Sequence, residues 1–188
     1  MSPTAAERGR EVRRKLLDAA VALISERGWG AVSTRVVAER AGVAPGLVHY
    51  HFSSVQALLS EAAVGAMREV GAVLEPALAR AGTPAEAMAA LASALDPYTG
   101  DDPTSLLFTE TYLAATRDPA LRAAVAEVIV DFRARLAAWL GAHGVAAPEA
   151  TAAVVGAAVD GLVLQRALDP GLTSAAITPV LTRLMGGQ

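Results

Sequence analysis

The sequence predicts an all-α protein of about nine helices, a three-helix head of roughly fifty residues followed by a larger helical bundle. Three observations carry that expectation. The chain is 53% hydrophobic with a mean hydropathy of +0.39, but much of this is alanine, the best helix former, and β-branched runs long enough for strands are scarce. Apolar residues recur at spacings of three and four, the period of one helix face. Proline or a capping residue stands where several of these patterns begin.

In the first helix, Val12, Leu16, Ala20 and Leu23, joined by Leu17, Val21 and Ile24, keep helical spacing until Gly28-Trp29-Gly30 breaks it. Ser33 is a good N-cap for a short second helix in which Val36, Val37 and Ala41 face inward, and Gly42 takes the usual C′ place after it. Gly42, Val43 and Ala44 then precede Pro45, whose missing N–H suits the first turn of a third helix. Two short helices joined by a short turn containing glycine make a helix-turn-helix. Further on, Thr83-Pro84-Ala85-Glu86 reads as a capping box with proline at the first helical position, and Asp102-Pro103, Asp118-Pro119 and Ala147-Pro148 repeat the proline placement. Helices are expected at about 54–80, 84–96, 103–116, 119–142, 148–168 and 174–185, with Pro76 kinking or ending the first of them. No repeat or low-complexity linker divides the chain, and the domain boundary is expected between 1–53 and 54–188.

Bulk chemistry removes several classes of function. Arg68, Glu69, Asp131, Arg133 and Asp160 interrupt every apolar stretch that approaches the roughly 18 residues of a membrane span. Arg13-Arg14-Lys15 ahead of Leu16–Ile24 imitates an export signal, but Asp18 breaks its apolar part and Glu26-Arg27 stands where a cleavage site belongs, so a cytoplasmic address is expected. The absence of cysteine removes disulfides, thiolate catalysis and cysteine-ligated zinc. Residues 1–52 carry eight Arg/Lys against five Asp/Glu and the remainder eight against fourteen, so a net −3 chain has an anion-seeking head and an acidic body. No carboxylate pair, nucleophile-base set or phosphate-binding glycine loop points to an enzyme, and His49 and His51, two positions apart on a helix, diverge too far to share a metal. No cofactor is expected.

Residues 28–59, GWGAVSTRVVAERAGVAPGLVHYHFSSVQALL, resemble the DNA-binding signature of the TetR family of transcriptional regulators. The match runs through the glycine-aromatic turn, the Ser/Thr cap, Val37-Ala38, Ala41-Gly42-Val43, the short helix ending in aromatics, Phe52 and Leu58-Leu59. Asp160 to Gln165 followed by Leu168-Asp169-Pro170 is similar to the family's penultimate helix, more weakly. The resemblance implies that Pro45–His51 enters a major groove N-terminus first. It places Ser33, Thr34, Arg35, Ala44, Pro45, Gly46, Leu47, His49, Tyr50 and His51 against DNA, with Arg35 reading guanine or phosphate, Leu47 a thymine methyl, and Gly46 letting backbone come close. Ser33 is a cap whether or not it touches DNA, Tyr50 fits a core position equally well, and Arg13, Arg14 and Lys15 suit a solvated face. The chain departs from the family with Ala44 in place of serine, Val55 in place of a phosphate-binding lysine and His49 in place of tyrosine.

For the body, the resemblance implies a homodimer and a small-molecule effector. Small and apolar residues at Ala153, Val154, Ala157, Ala158, Gly161, Leu162, Gln165 and Leu168, with Ile177, Leu181 and Leu184, are expected to build a two-fold four-helix interface. Such a dimer presents its third helices to grooves about 34 Å apart, and hence to a near-palindromic duplex. Phe108, Thr109, Glu110, Tyr112, Phe132, Trp139 and His143 are expected around an effector cavity, though core packing is the default reading of each, and a carboxylate there would favour a cationic or donor-rich ligand. The implied activity is repression relieved by the effector, the rival being a regulator-like protein that has lost DNA binding through Ala44 and Val55.

Overall fold

The computed structural model describes residues 4–184, and every regular element within them is helical. In chain order these are α1 (Ala5–Arg27), a 3₁₀ turn (Trp29–Ala31), α2 (Thr34–Ala41), α3 (Gly46–His51), α4 (Val55–Arg80), α5 (Pro84–Ala94), α6 (Pro103–Ala115), α7 (Pro119–Ala142), α8 (Pro148–Arg166) and α9 (Ser174–Leu184). None of these helices is long and apolar enough to cross a membrane.

Local chemistry sets most of the boundaries. α1 begins ahead of its apolar pattern because Thr4 and Glu7 form a capping box, the Thr4 hydroxyl accepting from Glu7 N and the Glu7 carboxylate from Thr4 N. At α5 the Thr83 hydroxyl accepts from Glu86 N, while Glu86 reaches one residue further back, to Gly82 N, so only half of the expected box forms at Thr83. Asp118 caps α7 through Ala120 N and Leu121 N. Pro76 does not end α4, which continues to Arg80. The carbonyl that loses its partner belongs to Ala72, an exposed residue whose oxygen water can satisfy.

The described residues form two compact units that differ from the expected division at 53/54: residues 4–67 pack with 106–122, and 68–105 with 123–184. The core of the first unit unites Leu16, Leu23 and Ile24 of α1, Val37 of α2, Val48 of α3, Phe52, Leu58 and Leu59 of α4, and Leu107 of α6. The core of the second unites Met88 and Leu91 of α5, Leu136 and Leu140 of α7, Val155 of α8, and Ile177 and Leu181 of α9.

In the second unit Arg166, only 8% exposed, gathers three loop carbonyls: its Nη1 donates to Leu95 O at 2.5 Å and Tyr98 O at 3.1 Å, and its Nε to Leu172 O at 2.7 Å. It sits at the carbonyl ends of α5 and α8, where helix dipoles favour a cation. Beside it, Gly100 has φ +90°, and a Cβ there would lie 2.6 Å from Ala167 N, so the 96–102 loop lies directly on the end of α8. Arg166→Met, which keeps the stem and removes all three donors, is expected to cost about 3 kcal/mol in urea unfolding.

Asp102 caps α6, accepting from Thr104 N, Ser105 N and the Ser105 hydroxyl, and also from Thr99 N. Burial is the largest single influence on its carboxyl and pushes it up, but the Ser105, Thr99 and Thr104 donors together outweigh it and hold the group below the ordinary aspartate range. A carboxyl lowered on folding adds stability above its unfolded pKa and loses it as pH falls through the folded one. Asp102→Asn is therefore expected to lower stability at pH 7 and to flatten its decline below about pH 4, read from melting curves across pH.

Candidate nucleic-acid interface

α3 is held from beneath and bare above. Val48 is fully buried and Phe52, which follows the helix, is 6% exposed, so the inner side of α3 is fixed in the first core. Ala44, Pro45, Gly46, His49 and Tyr50 are exposed, and Leu47 and His51 half-buried. Tyr50 is 80% exposed, which removes the core reading of this residue, and its ring meets that of His51 edge to face at 4.9 Å. A Cβ on Gly46 would meet nothing within 4 Å, so no packing inside the protein requires glycine there.

The turn ahead of α3 is set by glycine. Gly42 adopts φ +66° and ψ +35°, and the chain reverses as Gly42 N and Val43 N bond back to α2, Val43 N reaching Ala38 O at 3.0 Å. At the other end of α2, the Ser33 hydroxyl accepts from Val36 N at 3.4 Å, with Thr34 half-buried beside it. Arg35, one turn in, is exposed and makes no ion pair among the described residues. Val55 opens α4 packed against the first core, so the position where the resemblance leads to an expected lysine is spent on apolar contact.

Several other cations are engaged within the protein. Arg13 pairs with Glu61 at 2.5 Å and stacks over the Phe52 ring at 4.9 Å, Lys15 pairs with Glu11, and Arg40 with Glu26. The Arg40 hydrogen bond holds the Glu26 carboxyl below its usual range. These are exposed pairs, weak enough to exchange partners.

Of the residues expected around an effector, Phe108, Thr109, Glu110 and Tyr112 belong to the first unit and Phe132, Trp139 and His143 to the second. Phe108 packs on the first core, and the Glu110 carboxylate accepts the Trp29 backbone N–H at 2.8 Å. Phe132 and Trp139 pack on the second core. His143, at the exposed end of α7, stacks on Trp139 at 3.7 Å and donates from Nδ1 to the Trp139 carbonyl. Within the second unit, Leu74, Leu78, Leu91, Phe132 and Leu136 enclose a cavity of about 20 Å³, bordered by Glu75 and Arg135, which are ion-paired. That is room for about one water molecule.

Two residues expected between subunits pack within their own chain. Ile177 and Leu181 are 8% and 4% exposed and lie in the core of their own chain, with Ala158 and Leu162 packed partly against it. Leu184 closes α9, and its side chain lies outside the described residues. Val154, Ala157, Gln165 and Leu168 are exposed, Leu168 at 86%, while Ala153 and Gly161 are half-buried. Leu164 of α8 and Val180 of α9, 56% and 48% exposed, extend the apolar surface beyond the expected residues. α8 is apolar nearly all round, so spacing could not separate its inner face from its outer one.

Comparison with known proteins bears on both units. Residues 16–62 match the family described as bacterial regulatory proteins, tetR family, and residues 82–187 the tetracyclin repressor-like C-terminal domain. The HTH-type transcriptional regulator BetI of Brucella anthropi is 38% identical over 79 residues, 42% of this chain and 41% of that protein. The chain therefore spans about two fifths of the length of such curated relatives. The transcriptional regulator SCO7518 of Streptomyces coelicolor A3(2) superposes with a TM-score of 0.79 at 31% identity, over 94% of this chain and 99% of that one. The multidrug binding protein EbrR, complexed with malachite green, superposes with a TM-score of 0.67 at 30% identity, over 93% and 98% of the two chains.

Proposed function

The chain belongs to the TetR family of bacterial regulatory proteins, and on that premise we propose that it is a cytoplasmic, dimeric, sequence-specific DNA-binding repressor released from its site by a small-molecule effector. The observation that carries the reading is the exposed face of α3. A six-residue helix, anchored by Val48, presents Pro45, Gly46, His49 and Tyr50 to solvent, a surface that serves no packing need of its own. Ser33, Thr34 and the backbone N–H groups of the first turn of α2 supply phosphate donors, and Arg35, without an ion pair among the described residues, supplies a guanidinium that matches guanine O6/N7 or a phosphate in two parallel bonds. Gly46 allows backbone to approach the duplex where any side chain would stand off.

Dimerisation is supported by the exposed apolar side chains Val154 and Leu164 on α8, Leu168 just after it and Val180 on α9, more apolar surface on one pair of helices than isolated exposed leucines explain. A two-fold pair built on that face would favour an inverted-repeat duplex. An effector is supported by the neighbour that binds malachite green. The cavity of about 20 Å³ in the second unit is far below the roughly 300 Å³ a drug-sized ligand needs, so effector entry there would have to part α4, α5 and α7. Binding would then favour a head spacing that no longer fits the duplex.

A double-stranded library with random half-sites, selected on the full chain, is expected to yield an inverted repeat whose binding weakens steeply with salt. Recovery of no duplex above background overturns the reading. Gly46→Ala should raise thermal stability slightly, because alanine is the better helix former and the site is open, yet weaken binding to the selected duplex by about tenfold. Leu164→Glu with Leu168→Glu should leave helicity intact, convert the dimer to single chains in light scattering, and abolish inverted-repeat binding.

A further inference from the structure

Glu110 has a partner that no reading of DNA contacts would supply. It stands on α6, 81 residues along the chain from Trp29, whose backbone N–H it accepts at 2.8 Å. Leu107, Glu110 and Thr111 share one face of α6, and that face belongs to the first unit: Leu107 is 1% exposed in the core with α1 to α4, and buried Thr111 donates to Leu107 O. Gly28 accommodates the carboxylate. It adopts φ +78°, and a Cβ there would lie 3.3 Å from Glu110 Oε2.

The contact falls where the chain decides the position of α2. Gly28 N still bonds back to Ile24 O of α1, and Ala31 N and Val32 N bond within the turn, but the acceptor for Trp29 N is Glu110. The indole Nε1 of the same residue donates to Gln56 Oε1 on α4 at 2.9 Å. Both N–H groups of Trp29 are therefore tied to other helices, and Ser33, the cap of α2, follows only four positions later.

We propose that Glu110 is a positioning residue for DNA binding: its carboxylate, by accepting the Trp29 N–H, fixes the α1–α2 turn and with it the DNA-facing N-terminus of α2. The inference rests on the DNA-binding reading above. An oxygen acceptor at this reach is what the turn needs, so the amide of Glu110→Gln serves, while Glu110→Ala has no acceptor and Glu110→Asp is one methylene short. Loss of the acceptor leaves a half-buried donor unpaired, and the turn relaxes.

The test uses the full chain and the duplex that the wild-type protein selects. Glu110→Gln is expected to bind within about threefold of wild type, and Glu110→Ala and Glu110→Asp about tenfold or more weakly, at a temperature where all are folded and equally dimeric. Hydrogen exchange at the Trp29 amide should rise in step in the two weak binders and stay slow in the glutamine variant. A purely structural role would lower melting temperatures without changing affinity, and that result overturns the proposal, as does a glutamine variant as weak as alanine. Should Glu110→Ala not fold, the contrast between glutamine and aspartate separates the same two outcomes. Failure of the wild-type protein to select any duplex removes the DNA-binding reading and this inference with it, whereas wild-type binding shared by all three variants removes this inference alone.

Discussion

A helix of six residues does not persist in water unaided, because the entropy of fixing its first turn is recovered by only one or two hydrogen bonds. α3 exists because Val48 and Phe52 are buried in a core built by α1, α2, α4 and α6, and because Gly42 reverses the chain at an angle other residues adopt only with strain. Everything proposed for the protein depends on that arrangement. The exposed side of α3 is free for recognition because its inner side carries the whole burden of stability. Arg13, bonded to Glu61 and lying over Phe52, adds a second hold on the same corner.

The same logic accounts for how charge is used. The head has an excess of basic residues, yet Arg13, Lys15 and Arg40 have carboxylate partners on α1 or α4, which leaves Arg35 prominent on α2. Val55, drawn into apolar packing, places no cation at the first position of α4.

The second unit solves a different problem. Its helices are rich in alanine and small residues, and several of their ends are secured by polar groups. Arg166 collects carbonyls from two loops, Gly100 lets one of those loops touch backbone, and Asp102 caps the start of α6. Such anchoring leaves the outer faces of α8 and α9 apolar and available.

Most helix boundaries were legible from the chain itself, because a cap, a proline at the first turn or a glycine after the last acts within four residues and needs no distant partner. Ser33, Gly42, Thr83, Asp102 and Asp118 announce their roles in this way. Which face of a helix turns inward was legible only where the apolar stripe is narrow, as in α1. On α8 and α9, apolar on several sides, only packing decided that Ile177 and Leu181 face their own core while Leu164 and Val180 face out. The partner of Glu110 was beyond any local signal, since a carboxylate carries no mark of which N–H, 81 residues away, it will meet. Sequence determines what acts through neighbours along the backbone; the folded chain alone determines what acts through neighbours in space, where charge, burial and hydrogen bonding are settled together.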